Sequence, residues 1–242
     1  PKINQTDEMN LIGTLLAYME TPQYLRKRLF RLEPQLHYAG ILPPLRTPHH
    51  PLNRKMRSLK VGEYREGVTL SKTKEGMLVD IGVEKPVLML NKQSALNQRV
   101  TVKVVKVDGQ AQVEKVNRSE IQEYWGYTVT MEKHSLGKIV KSRGFDLIIA
   151  TSKYGDPIAA VMERLTKKLK AANTILVEFG APTKGLSEIV REEGLRLSDV
   201  ADFAVNTIPL QGTATVRTEE ALIASLAILN IQFGSHGLDA HS

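Results

Sequence analysis

FDLIIAT, residues 145–151, is a short apolar run, and Gly155-Asp156-Pro157 follow it closely. A run of this length bounded by turn residues suits a strand buried on both faces of a parallel sheet. Asp156 is expected to cap a helix whose first turn holds Pro157. Along that helix Ile158, Val161, Met162, Leu165 and Leu169 fall on one stripe. Further on come TILVEF (174–179), a glycine loop GAPTKG (180–185), a short helix from about Leu186 to Glu193, the strand DFAVN (202–206) and a helix from about Glu219 to Asn230. Strands alternating with helices predict an α/β domain with a parallel sheet and right-handed crossovers.

Toward the amino terminus the pattern changes. EYREGVTL, KEGMLVDIG, KPVLML, QRVTVKVVKV and QAQVEKV, between about residues 61 and 116, are short runs separated by turn signals such as Asp108-Gly109. Five such strands fit a small Greek-key barrel of the OB type, and an SH3-like barrel would look similar. Only Tyr64 is aromatic among them, so the barrel would touch RNA through its backbone or serve as a spacer. Before it, Leu11, Leu15, Tyr18, Leu25, Leu29 and Leu32 recur at helical spacing, with Thr21-Pro22 interrupting, which predicts two helices. Four prolines between Leu36 and Pro51 make that stretch a loop. Arg46, His49 and His50 on it are candidates for binding, against the alternative of a rigid connection.

Composition narrows the class. A chain of 242 residues with 42% hydrophobic and 24% charged content suits two domains. No apolar run approaches a membrane span and no signal sequence opens the chain, so a cytoplasmic protein is expected. The absence of Cys and the scattering of six His argue against a metal site. The net charge of +7 is concentrated in residues 1–60, which carry ten basic residues against four acidic. YLRKRLFR, with Arg26, Lys27, Arg28 and Arg31, could pair with RNA phosphates, as could RKMR (54–57); a solvated helix face is the alternative. The chain starts at Pro1, so a preceding strand of the sheet is expected to lie outside it.

In such sheets ligands sit beyond the carboxyl ends of the strands. Three loops leave those ends: Thr151–Gly155, Gly180–Gly185 and Ile208–Thr218. None carries GxGxxG or GxxxxGK[ST], which disfavours a nicotinamide oxidoreductase or a P-loop enzyme. Exposed backbone with flanking Ile208 and Leu210 instead suits an adenosyl group held between aliphatic side chains.

VEFGAPTKGLS (177–187) together with NTIPLQGTATVRTEEA (206–221) resembles the second and third motifs of the SPOUT superfamily of knotted RNA methyltransferases. The closer likeness is to its archaeal and eukaryotic branch, whose members carry an OB-like insertion and a proline-rich loop ending like Thr47-Pro48-His49-His50. The chain departs from the 2′-O-methylating branch at Pro182 and at Val216-Arg217-Thr218. The resemblance implies an α/β knot domain of residues 1–60 and 126–242 with an inserted OB-like barrel, 61–125. It implies S-adenosylmethionine held by Thr151, Gly180, Asn206, Ile208, Leu210, Gly212 and Thr213, where Gly180 and Gly212 admit close backbone approach. It also implies a homodimer, with the apolar last helix (Leu222, Ile223, Leu226, Ile228, Leu229) partly buried in a partner, and a base of structured RNA such as rRNA, leaning to uridine N3, as the target. Arg217 is the expected catalytic residue; Glu219 and Glu220 are expected to serve the helix start after a Thr218 cap. A non-catalytic RNA-binding scaffold on the same fold is the rival reading. His236 and His241 receive no role.

Overall fold

In a computed structural model of the chain, the structure describes residues 5–31, 33–90, 94–181 and 183–234. Leu32, Pro182, His236, His241 and any strand before the chain's start therefore lie outside the described residues. The fold divides into two compact units, one up to Met131 and the other from Glu132.

The first unit opens with helices α1 (Gln5–Glu20) and α2 (Gln23–Leu29), broken at Thr21-Pro22 as expected. Three single 3₁₀ turns follow, Pro34–Leu36, Ala39–Ile41 and Met56–Ser58, before, within and after the proline-rich segment. The barrel strands are β1 (Tyr64–Lys72), β2 (Met77–Asp80), β3 (Val87–Met89), β4 (Arg99–Lys106) and β5 (Gln112–Lys115). They close in the order β1-β2-β3-β5-β4, with β4 antiparallel to β1 and only β3 and β5 parallel. Alternation puts Met77, Val79, Val102, Val104 and Val113 inside a closed core.

Beside that core lies a knot of buried charge. Glu66 on β1 is fully buried and accepts hydrogen bonds from Arg99 Nε (2.5 Å), Thr101 Oγ1 (2.7 Å), Trp125 Nε1 (2.7 Å) and Arg118 Nη2 (3.0 Å). Arg99 also donates to both carboxylate oxygens of Glu20, at 2.6 and 3.1 Å. Tyr24 Oη donates to the Glu66 carbonyl at 2.8 Å, and Arg28 pairs with Asp80 at 2.9 Å. These contacts join Glu20, Tyr24 and Arg28 of the opening helices to the barrel. Isolated buried charges are costly, so each partner of Glu66 is needed to make its burial tolerable.

The second unit begins with α3 (Leu136–Arg143), with Ser135 at its N-cap position and Gly144 closing it at φ 60°, an element the sequence reading did not identify. The sheet consists of β6 (Leu147–Pro157), β7 (Ile175–Glu178) and β8 (Phe203–Asn206), all parallel, in the order β7-β6-β8. Helices α4 (Ile158–Ala171), α5 (Leu186–Arg191) and α6 (Thr218–Gly234) alternate with them. Leu147, Ile149, Val161, Leu165, Leu169, Val205 and Leu229 form the core.

Two expected boundaries shift. Pro157, not Asp156, occupies the N-cap of α4, because Asp156 is held in the sheet opposite Val205. Thr218 is the first residue of α6, and its hydroxyl turns to the Gly180 carbonyl at 3.5 Å. On β7, Glu178 is 4% exposed, and neither carboxylate oxygen has a hydrogen-bond partner among the described residues.

The two units should answer acid in opposite senses. Burial holds His50 at about 4, so it is neutral in the fold while the unfolded chain protonates near 6.5. The first unit therefore loses stability as pH falls through that window. For Glu66 burial acts upward, but Arg99, Thr101, Arg118 and Trp125 outweigh it and hold the carboxyl below 4.5, adding a further loss under that pH. Burial raises Glu178 to about 7, so the second unit gains stability as pH falls from about 7 to 4.5. Urea unfolding followed by Trp125 fluorescence should show a lower midpoint at about pH 5 than at about pH 7. Over the same change, exchange protection of the β6 and β7 amides, corrected for intrinsic rates, should rise. Glu178→Gln should stabilise the second unit at alkaline pH by on the order of 2 kcal/mol and flatten its pH response; a response unchanged from wild type overturns this assignment.

Candidate functional site

Parallel pairing sends the carboxyl ends of β6, β7 and β8 to one edge, and the three loops that leave them enclose a cleft of about 290 Å³. Thr151 and Asp156 both oppose Val205, so residues 152–155 leave the ladder as a four-residue excursion. Gly155 is required there, since a Cβ on it would stand 2.6 Å from the Ala204 carbonyl oxygen.

Side-chain latches fix the loops to one another. Thr151 Oγ1 donates to the Glu178 carbonyl at 2.7 Å, tying the first loop to the start of the second. Asn206 Nδ2 donates to the Lys153 carbonyl at 3.0 Å, while its Oδ1 accepts from the Ile208 amide at 3.0 Å. Thr207 and Ser225, both buried, share a hydroxyl hydrogen bond of 2.7 Å that pins the third loop to α6. Gly180 sits where a Cβ would be 3.2 Å from the Lys184 carbonyl oxygen, so the second loop folds tightly back on itself.

Four of the seven cofactor candidates, Thr151, Gly180, Asn206 and Ile208, line the cleft together. Thr151 and Asn206 have polar atoms engaged with neighbouring backbone, which makes them supports of the wall as well as parts of it. Leu210, Gly212 and Thr213 are exposed and do not line the cleft. Leu210 is wholly exposed at φ 61°, a left-handed conformation that costs a non-glycine residue about 1–2 kcal/mol. Gly212 has open space where its Cβ would be. Arg217 is exposed, and among the described residues its side chain has no hydrogen-bond or ion-pair partner.

The sequence reading did not single out Lys153, Tyr154, Phe179, Thr183, Val216 and Ala221, which also line the cleft. Lys153 Nζ reaches the Ala214 carbonyl at 3.1 Å and lies 5.0 Å from the Tyr154 ring centroid. A loop at a strand's carboxyl end was the available signal; which residue of it turns inward depends on the excursion. The mix of apolar side chains and main-chain polar groups is what a nucleoside-sized ligand requires. Among the described residues there is no cluster of three or more His, Asp or Glu able to hold a metal, and no helix long and apolar enough to cross a membrane.

The basic candidates of the first unit divide in two. Arg26 donates to the carbonyls of Thr21 (2.9 Å) and Met19 (3.2 Å), satisfying chain ends between α1 and α2. His49 is fully buried, and both His49 and His50 turn Nε2 to the Glu20 carbonyl, at 3.1 and 2.8 Å. The Pro-His-His sequence thus binds the loop to α1, and burial puts His49 out of reach of an external ligand. Lys27, Arg28, Arg31 and Arg46 are exposed, although Arg28 is paired with Asp80. Arg26, Arg46 and His50 meet around a depression of about 50 Å³.

A model of the family described as "putative RNA methyltransferase" matches residues 2–229. The chain is similar to the 28S rRNA (uridine-N(3))-methyltransferase of Mus musculus, 35% identical over 236 residues, covering 90% of this chain and 58% of that protein. The proteins of the same name from Drosophila melanogaster (35% identical, 90% and 46% covered) and Homo sapiens (32%, 90% and 59%) are similar as well. The chain thus spans about half the length of these curated relatives. Because the family match runs through both units and includes all three loops of the cleft, the chain belongs to this family of RNA methyltransferases.

Proposed function

We propose that the chain transfers a methyl group from S-adenosylmethionine to N3 of a uridine in ribosomal RNA. The observation that carries this reading is the cleft at the carboxyl edge of the parallel sheet, in a chain matched over nearly its whole length by an RNA methyltransferase family. The names of the similar mouse, fly and human proteins support the choice of rRNA and of N3.

The residues present fit the cofactor. Gly180 and Phe179 offer main-chain groups, and Ile208, Leu186 and Val216 offer apolar walls in a volume suited to a nucleoside. Bound there, S-adenosylmethionine would supply an electrophilic methyl for in-line transfer. The chain's part is chiefly positioning, for which Thr151 and Asn206 hold the loops rigid. Uridine N3 would give up its proton to water as it takes the methyl, with S-adenosylhomocysteine left behind, and negative charge would spread to the flanking carbonyl oxygens as the proton departs. Arg217, uncommitted and on the third loop, is assigned to stabilise that charge. Leu210, Gly212 and Thr213 lie on the same loop outside the cleft's lining, and their assignment to the cofactor rests on the family resemblance. Glu219 and Glu220 stay in the first turn of α6, where negative charge is favourable.

The same proposal includes a SPOUT trefoil knot in residues 1–60 and 126–242, with residues 61–125 as an inserted OB-type barrel. The barrel's strand order and its closure within residues 64–115 support the insertion. RNA contacts are assigned to the exposed Lys27, Arg28, Arg31 and Arg46. The proposed form is a homodimer, supported by the exposed Leu222, Ile223, Leu226 and Ile231 on α6. No metal takes part, and the proposed compartment is the cytoplasm.

Calorimetry should detect S-adenosylmethionine binding to the chain, and its absence would leave the scaffold reading. Arg217→Ala should lower the transfer rate about 100-fold or more while the cofactor Kd stays within about threefold; unchanged turnover removes the role given to Arg217. Ile223→Asp should shift the protein to monomer in sedimentation, and a dimer that persists would discard the α6 interface.

A further inference from the structure

A second concavity in the same unit, about 700 Å³, runs along the outer side of β8 beside α4. Arg164, Lys167 and Lys168 line it from α4, three and four residues apart and hence on one helix face. Phe203 lies between them, with the Arg164 guanidinium and the Lys168 ammonium 5.8 and 5.7 Å from its ring centroid. Two carboxylates also border the groove, Asp156 and Asp202. Asp202 is committed within the fold, since it pairs with Lys168 at 2.9 Å and accepts the Ile148 amide at 2.9 Å. Among the described residues neither Arg164 nor Lys167 has a carboxylate partner.

Tyr154 joins this groove to the cofactor cleft, because it lines both. It sits on the four-residue excursion from β6 and is 87% exposed. The excursion is stiffened by Gly155 against Ala204 and by the Asn206 side chain on the Lys153 carbonyl. An exposed aromatic ring on a stiff support costs little entropy to order, and its face accepts any base. Arg164 and Lys167, which line the same groove and have no carboxylate partner among the described residues, supply sequence-independent attraction for a phosphate backbone.

We propose that this groove holds the single-stranded RNA flanking the methylated nucleotide, with Tyr154 stacked on a base at the rim of the cleft and Arg164 and Lys167 paired with phosphates. The inference rests on the reading of the chain as an RNA methyltransferase and adds the path by which substrate reaches the cleft. Tyr154 is a binding residue in this scheme, and the groove cations act through the RNA backbone alone.

The test uses the whole chain and a fluorescein-labelled, uridine-rich single-stranded oligoribonucleotide, with anisotropy read over a series of salt concentrations. Tyr154→Ala should weaken RNA binding about 10-fold, the worth of one stacked base, and Tyr154→Phe should restore it to within about twofold. The double variant Arg164→Ala, Lys167→Ala should lower the slope of log affinity against log salt by about 1.4, at about 0.7 for each single-strand phosphate lost. Its affinity for S-adenosylmethionine should be that of wild type. Should Tyr154→Ala not fold, by circular dichroism, the double variant carries the test. Wild-type affinity and salt slope in the variants would overturn the groove while wild-type methyl transfer kept the enzyme reading. Conversely, loss of RNA binding in the variants of a protein that transfers no methyl would keep the groove and overturn the enzyme reading. Competition by polyglutamate as strong as that by unlabelled RNA would replace RNA with an acidic protein and overturn the proposal.

Discussion

The parallel pairing of β6 with β7 on one side and β8 on the other is the constraint on which the site depends. Parallel strands must all be re-entered from the same end, so their three outgoing loops are forced to one edge. Residues far apart in the chain, such as Thr151, Gly180 and Ile208, then share one wall of about 290 Å³. Short hydrogen bonds from Thr151 and Asn206 to the neighbouring loops turn proximity into fixed geometry. The excursion at residues 152–155 follows from the same pairing, because Val205 is opposed twice and the residues between must leave the ladder.

The first unit rests on a different principle. Its barrel interior is apolar and self-sufficient, but the helices and the proline-rich loop are joined to it through buried charge. Glu66 and Glu20 are shared among Arg99, Arg118, Thr101 and Trp125, and His49 and His50 meet the Glu20 carbonyl. Such networks contribute little net stability compared with apolar packing, yet they tolerate few alternative arrangements. They specify one seat for the loop on α1. Arg26, which looks available in the sequence, is consumed instead by the carbonyls of Thr21 and Met19 between α1 and α2.

Much of the fold was legible along the chain. The short runs of residues 63–116, set apart by turn residues, marked all five barrel strands, and the apolar stripe from Ile158 to Leu169 marked α4. The break at Thr21-Pro22 was plain from proline alone. The failures were local. Asp156 has the chemistry of a cap, but a sheet bond to β8 competes for it and prevails. Helix α3, with only eight residues and a weak apolar face, carries little signal. At the site, Thr151, Gly180, Asn206 and Ile208 were named through the resemblance to the SPOUT family, and all four line the cleft. Tyr154 and Phe179 were passed over because nothing in the linear order tells which loop residue turns inward.

The sequence by itself determined what is local in the chain: the alternation of strands and helices, the apolar faces, the turn residues and the likeness of two loop motifs to a methyltransferase family. Periodicity and turn chemistry act over a few residues, so they can be read without knowing the fold. Tertiary structure alone decided which loops meet, that His49 is buried while Leu210 and Arg217 stand exposed, that Glu178 is enclosed with no hydrogen-bond partner among the described residues, and that Tyr154 stands between two clefts. Those outcomes depend on pairings between residues dozens of positions apart, and the free energy of burial or exposure is assigned only when such distant segments come together.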